Sequence, residues 1–161
     1  MTAAARVAEG GAAVAIRPAT VADLAGCAAV VNGWIDETGW IPRVKTPAEI
    51  EAYFTPDLLD RRLILVADEG GRVGGYLSLA PEGYVGAVYL RAGLRGRGVG
   101  RALIEAAKAR HPGGLELEVF EVNADARRFY AREGFAEMAG RRRIDTDEGL
   151  PVLRLRWEGR G

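Results

Sequence analysis

The sequence predicts an α/β (α+β) fold: a single domain over about residues 13–158, with helices flanking one mixed, mostly antiparallel sheet. Three observations lead there. The 161 residues suit one compact domain and leave no room for a second of ordinary size. Hydrophobic residues make up 48%, enough for a sizeable core and too many for a disordered chain. Along the chain, apolar residues switch from helical spacing to strand alternation and back, with turn residues at each change.

Composition narrows the function classes. The 22 basic and 22 acidic residues cancel, so no global basic field favours nucleic acid as a partner. No apolar run approaches the roughly 20 residues that span a bilayer, so no membrane partner is expected. The lone cysteine, Cys27, excludes an internal disulfide, and with the lone histidine, His111, it makes a metal site unexpected. Met1–Ala15 lacks the charged start and long apolar stretch of a secretory signal, and the expected setting is the cytoplasm.

Residues 1–12 read as a flexible, small-residue tail. Val14–Arg17 is a first strand ended by Pro18. Thr20-Val-Ala-Asp23 forms a capping box, and Leu24, Ala28, Val31 and Ile35 continue it as a helix to about Asp36. Thr46-Pro47-Ala48-Glu49 is a second capping box, with Pro at the first helical position and Ile50, Tyr53 and Phe54 on the inner face. Arg62–Asp68, Arg72–Ala80 and Tyr84–Leu90 are strands of an antiparallel meander, with Val73, Leu77 and Leu79 on one face. Val99–Arg110 is a helix ended by His111-Pro112-Gly113-Gly114. Leu115–Phe120 alternates as a strand. Asn123 opens a short helix that Gly134 closes. Two last strands are expected near Phe135–Ile144 and Pro151–Trp157.

The chemistry concentrates in Arg95-Gly96-Arg97-Gly98-Val99-Gly100, between a strand and a helix. Alternating glycines allow tight turning and close approach of a ligand to the backbone. The helix start adds unpaired N–H groups and partial positive charge, a site matched to phosphate, and Arg91, Arg95, Arg97 and Arg101 surround it. The alternative is a Gly-rich turn with solvated arginines. A dinucleotide fingerprint fails because Leu103 occupies its third glycine position, and no Gly-Lys-Ser/Thr completes a Walker A loop.

Arg95-x-x-Gly98-x-Gly100, with its flanking strand and helix, resembles the acyl-CoA signature of the GCN5-related N-acetyltransferases (GNAT). Asn123-x-x-Ala126-x-x-Phe129-Tyr130-x-x-x-Gly134-Phe135 is similar to the second half of that family's cofactor site, and the element order from Val14 to Trp157 matches too. The resemblance implies the acyl-CoA N-acyltransferase fold, with acetyl-CoA held where Tyr84–Leu90 and Leu115–Phe120 splay apart. It implies pyrophosphate at the N–H groups of Leu94–Gly100, aided by Arg95 and Arg97, and the pantetheine arm along Val88, Tyr89 and Leu90. The N–H of Leu90 would polarise the thioester carbonyl. Gly96, Val99, Arg101, Asn123 and Phe129 complete the implied cofactor contacts. Asn123 could equally cap its helix, and the two roles are compatible.

The implied activity is acetyl transfer to a primary amine of a small molecule or an amino terminus by direct attack. Tyr130 is the implied proton donor to the leaving thiolate, against a plain core role at helical spacing from Ala126. The family's base position falls on Tyr84. Glu82 shares its face if the strand extends that far, and Glu118 and Glu121 lie at the other splayed strand. Asp36, Trp40 and Arg43 are expected to form the acceptor pocket by stacking and ion pairing, or else Trp40 plugs the core edge and Arg43 pairs with an acid. No metal is needed, and a homodimer is compatible with the sequence. The competing readings are a non-catalytic acyl-CoA-binding module of the same fold and, less well supported, a nucleic-acid binder built on Arg91–Arg101.

Overall fold

From Val14 on, strand and helix follow one another in the order that the periodicity predicts, with one added short helix at Leu58–Arg61. The structure, a computed structural model, describes residues 5–7 and 13–160. Its strands are β1 (Ala5–Val7), β2 (Val14–Pro18), β3 (Leu63–Glu69), β4 (Arg72–Leu79), β5 (Tyr84–Leu90), β6 (Leu115–Phe120), β7 (Ala136–Glu137) and β8 (Val152–Trp157). Its α-helices are α1 (Leu24–Glu37), α2 (Pro47–Tyr53), α3 (Leu58–Arg61), α4 (Val99–Arg110) and α5 (Ala124–Arg132). β1 falls inside the segment expected as a tail; the rest of that segment up to residue 12 lies outside the described residues. No helix of the described residues is long and apolar enough to cross a membrane.

The described strands form one eight-stranded sheet in the order β1-β2-β3-β4-β5-β6-β8-β7, antiparallel except between β5 and β6. That parallel pair is in register only at Tyr84↔Glu116 and Val85↔Leu117, so most of β5 and β6 part company and open a cleft in the middle of the sheet. Helices α4 and α5 cover one face, where Leu94, Leu103, Ile104 and Tyr130 pack against Leu65, Leu77, Leu117 and Leu155. Helices α1 and α3 cover the other, where Cys27, Val31 and Leu58 meet Ile64, Val66 and Tyr76. Burial of these apolar surfaces is the main stabilising term.

Two glycines break the strand alternation. In the β3–β4 ladder Ala67 faces Gly75 and Asp68 faces Val73, leaving Gly74 as an extra residue. Val73 therefore turns towards the α1 face, away from Leu77 and Leu79, with which the sequence pattern had grouped it. In the β4–β5 ladder Ser78 faces Ala87 and Leu79 faces Val85, and Gly86 is the extra residue. Val85, Val88 and Leu90 all pack on the α4 side as a result, while Ala87 and Tyr89 face α1.

The final strand pair is shorter than its pattern suggests. β7 holds only two residues, and beyond it a single bridge, Arg143 to Val152, ties the polar segment back to β8. The stretch Arg141–Asp145 is exposed throughout, so no buried face enforces a longer ladder.

Candidate active site

The phosphate-binding candidate is built as the glycine spacing requires. Gly96 and Gly98 have φ of +73° and +78°, left-handed conformations that side chains disfavour. Gly98 is also the N-cap of α4 and offers no side chain to its first turn. The N–H groups of Val99, Gly100 and Arg101 thus lack intrahelical partners and carry the positive end of a twelve-residue helix. A Cβ on Gly100 would stand 3.3 Å from Phe129 Cζ and 3.5 Å from Leu90 Cδ1, so both signature stretches meet at this glycine. The donors, the charge and the bare backbone fit a nucleotide pyrophosphate.

The arginines of this loop are engaged elsewhere. Arg91 pairs with Glu69, and Arg97 lies 3.8 Å from the same carboxylate. Arg95 pairs with Glu37 at the end of α1 and donates to the Leu90 carbonyl at 2.9 Å. Arg101 reaches Glu133 at 3.9 Å. These contacts hold the loop to α1, β3 and α5, while the first-turn N–H groups of α4 are left without intrahelical partners.

At the cleft, the Arg91 N–H donates to Gly74 on the β4 side at 2.8 Å. Because backbone groups of neighbouring strand residues alternate in direction, the Leu90 N–H faces the side that β6 has vacated. An aromatic chain bridges the opening on the α1 face: Tyr89 to Trp34 at 5.3 Å, Trp34 to Trp40 at 5.7 Å, and Trp40 to Phe120 of β6 at 5.6 Å. On the other face Tyr130 is buried between Phe129 and Phe135 and makes no hydrogen bond to a described residue. Burial, with a smaller contribution from Tyr89, pushes its phenol up, so it remains protonated and able to donate. Asn123 caps α5, its Oδ1 accepting from the Ala126 N–H at 3.2 Å.

The sequence-derived base candidates fare differently. β5 begins at Tyr84, so Glu82 stays exposed in the preceding turn and does not share a strand face with Tyr84. Tyr84 is half-buried under the Arg154 guanidinium, and burial, then Glu118, pushes its phenol up, so it stays protonated at neutral pH and presents no phenolate to act as a base. Glu118 and Glu121 are ion-paired to Arg143 and Arg142.

A cavity of about 710 Å³ opens beneath α2, on the α1 face of β3–β5. Tyr53, Phe54, Tyr76, Tyr84 and Tyr89 give it aromatic walls, and Arg62 and Ser78 add polar groups. Asp36, Trp40 and Arg43 are not among its lining residues. Arg43 instead fastens the α1–α2 loop, donating to the Asn32 side chain at 2.9 Å, to Asp36 at 2.9 Å and to the Lys45 carbonyl at 3.0 Å. Arg62 and Ser78 escaped the sequence reading; the only signal was a charged residue opening an otherwise apolar strand and a serine within one.

The model of the acetyltransferase (GNAT) family matches residues 27–135, which include the loop, the cleft and α5. The chain belongs to this family. The peptidyl-lysine N-acetyltransferase YiaC of Escherichia coli K12 is 30% identical over 115 residues, 66% of this chain and 75% of that protein. The crystal structure of a ribosomal-protein-alanine N-acetyltransferase from Brucella melitensis is 27% identical, with a TM-score of 0.68 over 88% of this chain and 97% of that one. The Salmonella typhimurium acetyltransferase yncA, solved with its cofactor acetyl-CoA, shares the fold at 23% identity, with a TM-score of 0.69 over 90% of this chain and 93% of that one. The present GNAT protein is thus an N-acetyltransferase, and acetyl-CoA is the acetyl donor of its family.

Proposed function

We propose that the protein transfers the acetyl group of acetyl-CoA to the primary amine of a small molecule or an amino terminus by direct attack. One observation carries this reading: β5 and β6 separate after two paired residues, directly beside an uncapped helix start with left-handed glycines. Bound acetyl-CoA would supply the acetyl group as a thioester. The first-turn N–H groups of α4 hold its pyrophosphate, and Val88–Leu90 pair with the pantetheine arm. Leu90 N–H donates to the thioester carbonyl, where negative charge develops.

The amine enters from the aromatic cavity, which is sized for a small molecule. Its ammonium form first gives a proton to water, because the nearby carboxylates Glu116, Glu118 and Glu121 are all held by arginines. The nitrogen then bonds to the carbonyl carbon and gives up its surplus proton to water, the carbon–sulfur bond breaks, and Tyr130 delivers its proton to the departing sulfur and regains one from solvent. A free-thiol assay with acetyl-CoA across an amine panel tests this. Amine-dependent thiol release is expected. Tight acetyl-CoA binding with no release across the panel would instead mark a non-catalytic acyl-CoA-binding module.

A further inference from the structure

Arg62 stands between α3 and β3, with its guanidinium against the Gly86 bulge. A Cβ at Gly86 would lie 3.1 Å from Arg62 Nη1 and 3.9 Å from Ser78 Oγ. Nη1 is buried and has no hydrogen-bond partner among the described residues. A buried guanidinium N–H without an acceptor is costly, and folded proteins rarely leave one. The acids near the cavity do not serve it. Glu49 in the wall accepts from the Thr46 N–H at 3.0 Å, and Glu118 is held by Arg143. Arg91 Nε is the other buried side-chain donor without a partner among the described residues, and of the two only Arg62 lines the cavity, where an occupant's acceptor can reach it.

We propose that Arg62 anchors the carboxylate of the acceptor, so that the substrate is a small amine carrying a carboxylate, of the amino-acid class. This rests on the acetyl-transfer reading above. Gly86, Ala87 and Tyr89 of β5 line the same cavity, so a carboxylate held at Arg62 lies along the strand that carries the Leu90 N–H. Ser78 offers a second donor, and the five aromatic residues accept an apolar side chain. A peptidyl lysine, whose amine is remote from any carboxylate, would offer Nη1 at most a neutral carbonyl in place of a charge-assisted bond.

The test compares the L-amino acids with their carboxamides and with a lysine-containing peptide. Thiol release from acetyl-CoA is followed, together with the thermal shift each compound gives in the presence of CoA. The expected result is a kcat/KM for the best amino acid about 10- to 100-fold above that of its carboxamide. Arg62→Met should collapse that ratio, chiefly through the KM of the amino acid, and Arg62→Lys should restore part of it. If the Arg62 variants fail to fold, the wild-type ratio decides. A ratio near one, transfer only to carboxamides or peptide, or no response to any amino acid overturns the proposal, while amine-dependent thiol release with any other acceptor upholds the transferase reading. Failure to bind acetyl-CoA at all overturns that reading too.

Discussion

Arg143 grips Glu118 with two parallel hydrogen bonds, Nε to Oε2 at 2.8 Å and Nη2 to Oε1 at 2.9 Å. The pair joins the polar segment before β8 to the centre of β6, and it occupies both carboxylate oxygens at the edge of the cleft. Glu118 is therefore a fastener. Glu118→Gln should change kcat by less than about threefold, whereas loss of a general base would cost about 10²-fold or more. The same variant should expose the Arg141–Leu150 segment to faster limited proteolysis.

Gly100→Val should weaken acetyl-CoA binding at least about tenfold, or ~1.4 kcal/mol. The added side chain would start 3.3 Å from Phe129 and crowd the donors of the first helical turn. Calorimetry on a variant with unchanged circular dichroism reads the effect, and an unaltered Kd would refute the phosphate site.

Tyr130→Phe keeps the ring between Phe129 and Phe135 and removes only a hydroxyl that has no hydrogen-bond partner among the described residues. We expect kcat to fall about 10²-fold with the KM for acetyl-CoA nearly unmoved. The melting temperature should hold. A joint loss of rate and stability would make Tyr130 a packing residue alone.

Burial holds the phenols of Tyr76, Tyr89 and Tyr130 protonated beyond their ordinary range. In the unfolded chain they ionise near pH 10. Above that pH the unfolded state has released protons that the native state retains, so stability is full below about 10 and falls as pH rises. Alkaline titration should show phenolate absorbance from these residues appearing together with loss of circular dichroism. Smooth titration in a folded protein would contradict their burial.

Arg17 places two hydrogen bonds on Asp23, at 2.7 and 3.0 Å, and the Thr20 N–H adds a third at 2.7 Å. Together they keep this carboxyl below its usual range, the Arg17 bonds contributing most. Its contribution is present above the unfolded value near 4 and is lost as pH falls and the unfolded state takes up protons first. Asp23→Asn should cost about 1–2 kcal/mol at neutral pH, allowing for partial exposure of Arg17. That is a drop of about 2–8 °C in melting temperature, and the acid limb should flatten.

How much could be read from the chain alone depended on range. The capping boxes at Thr20 and Thr46, the period switches and the Gly98–Gly100 junction are local, and the fold places them as their spacing implies. The partners of the loop arginines are distant: Glu37 lies 58 residues from Arg95, and Glu69 lies 22 from Arg91. Solvated arginines and paired ones look alike in sequence. Glycine inside a strand signals a bulge or a close approach without saying which, so the turn of Val73 to the α1 face was hidden. The acceptor wall was least legible, because α2, β3, β4 and β5 each lend it only a few side chains.

The extra residue at Gly86 separates two inheritances within one strand. Val85 and Val88 belong to the layer that folds the molecule, whereas Tyr84, Ala87 and Tyr89 line the cavity. Exchanges at the second set leave the α4-side layer untouched, so a lineage can retailor its acceptor while disturbing only the smaller cluster on the α1 face. Loss of Gly86 would end that freedom: the register would close up, and residues chosen for a ligand would be pressed into places chosen for packing.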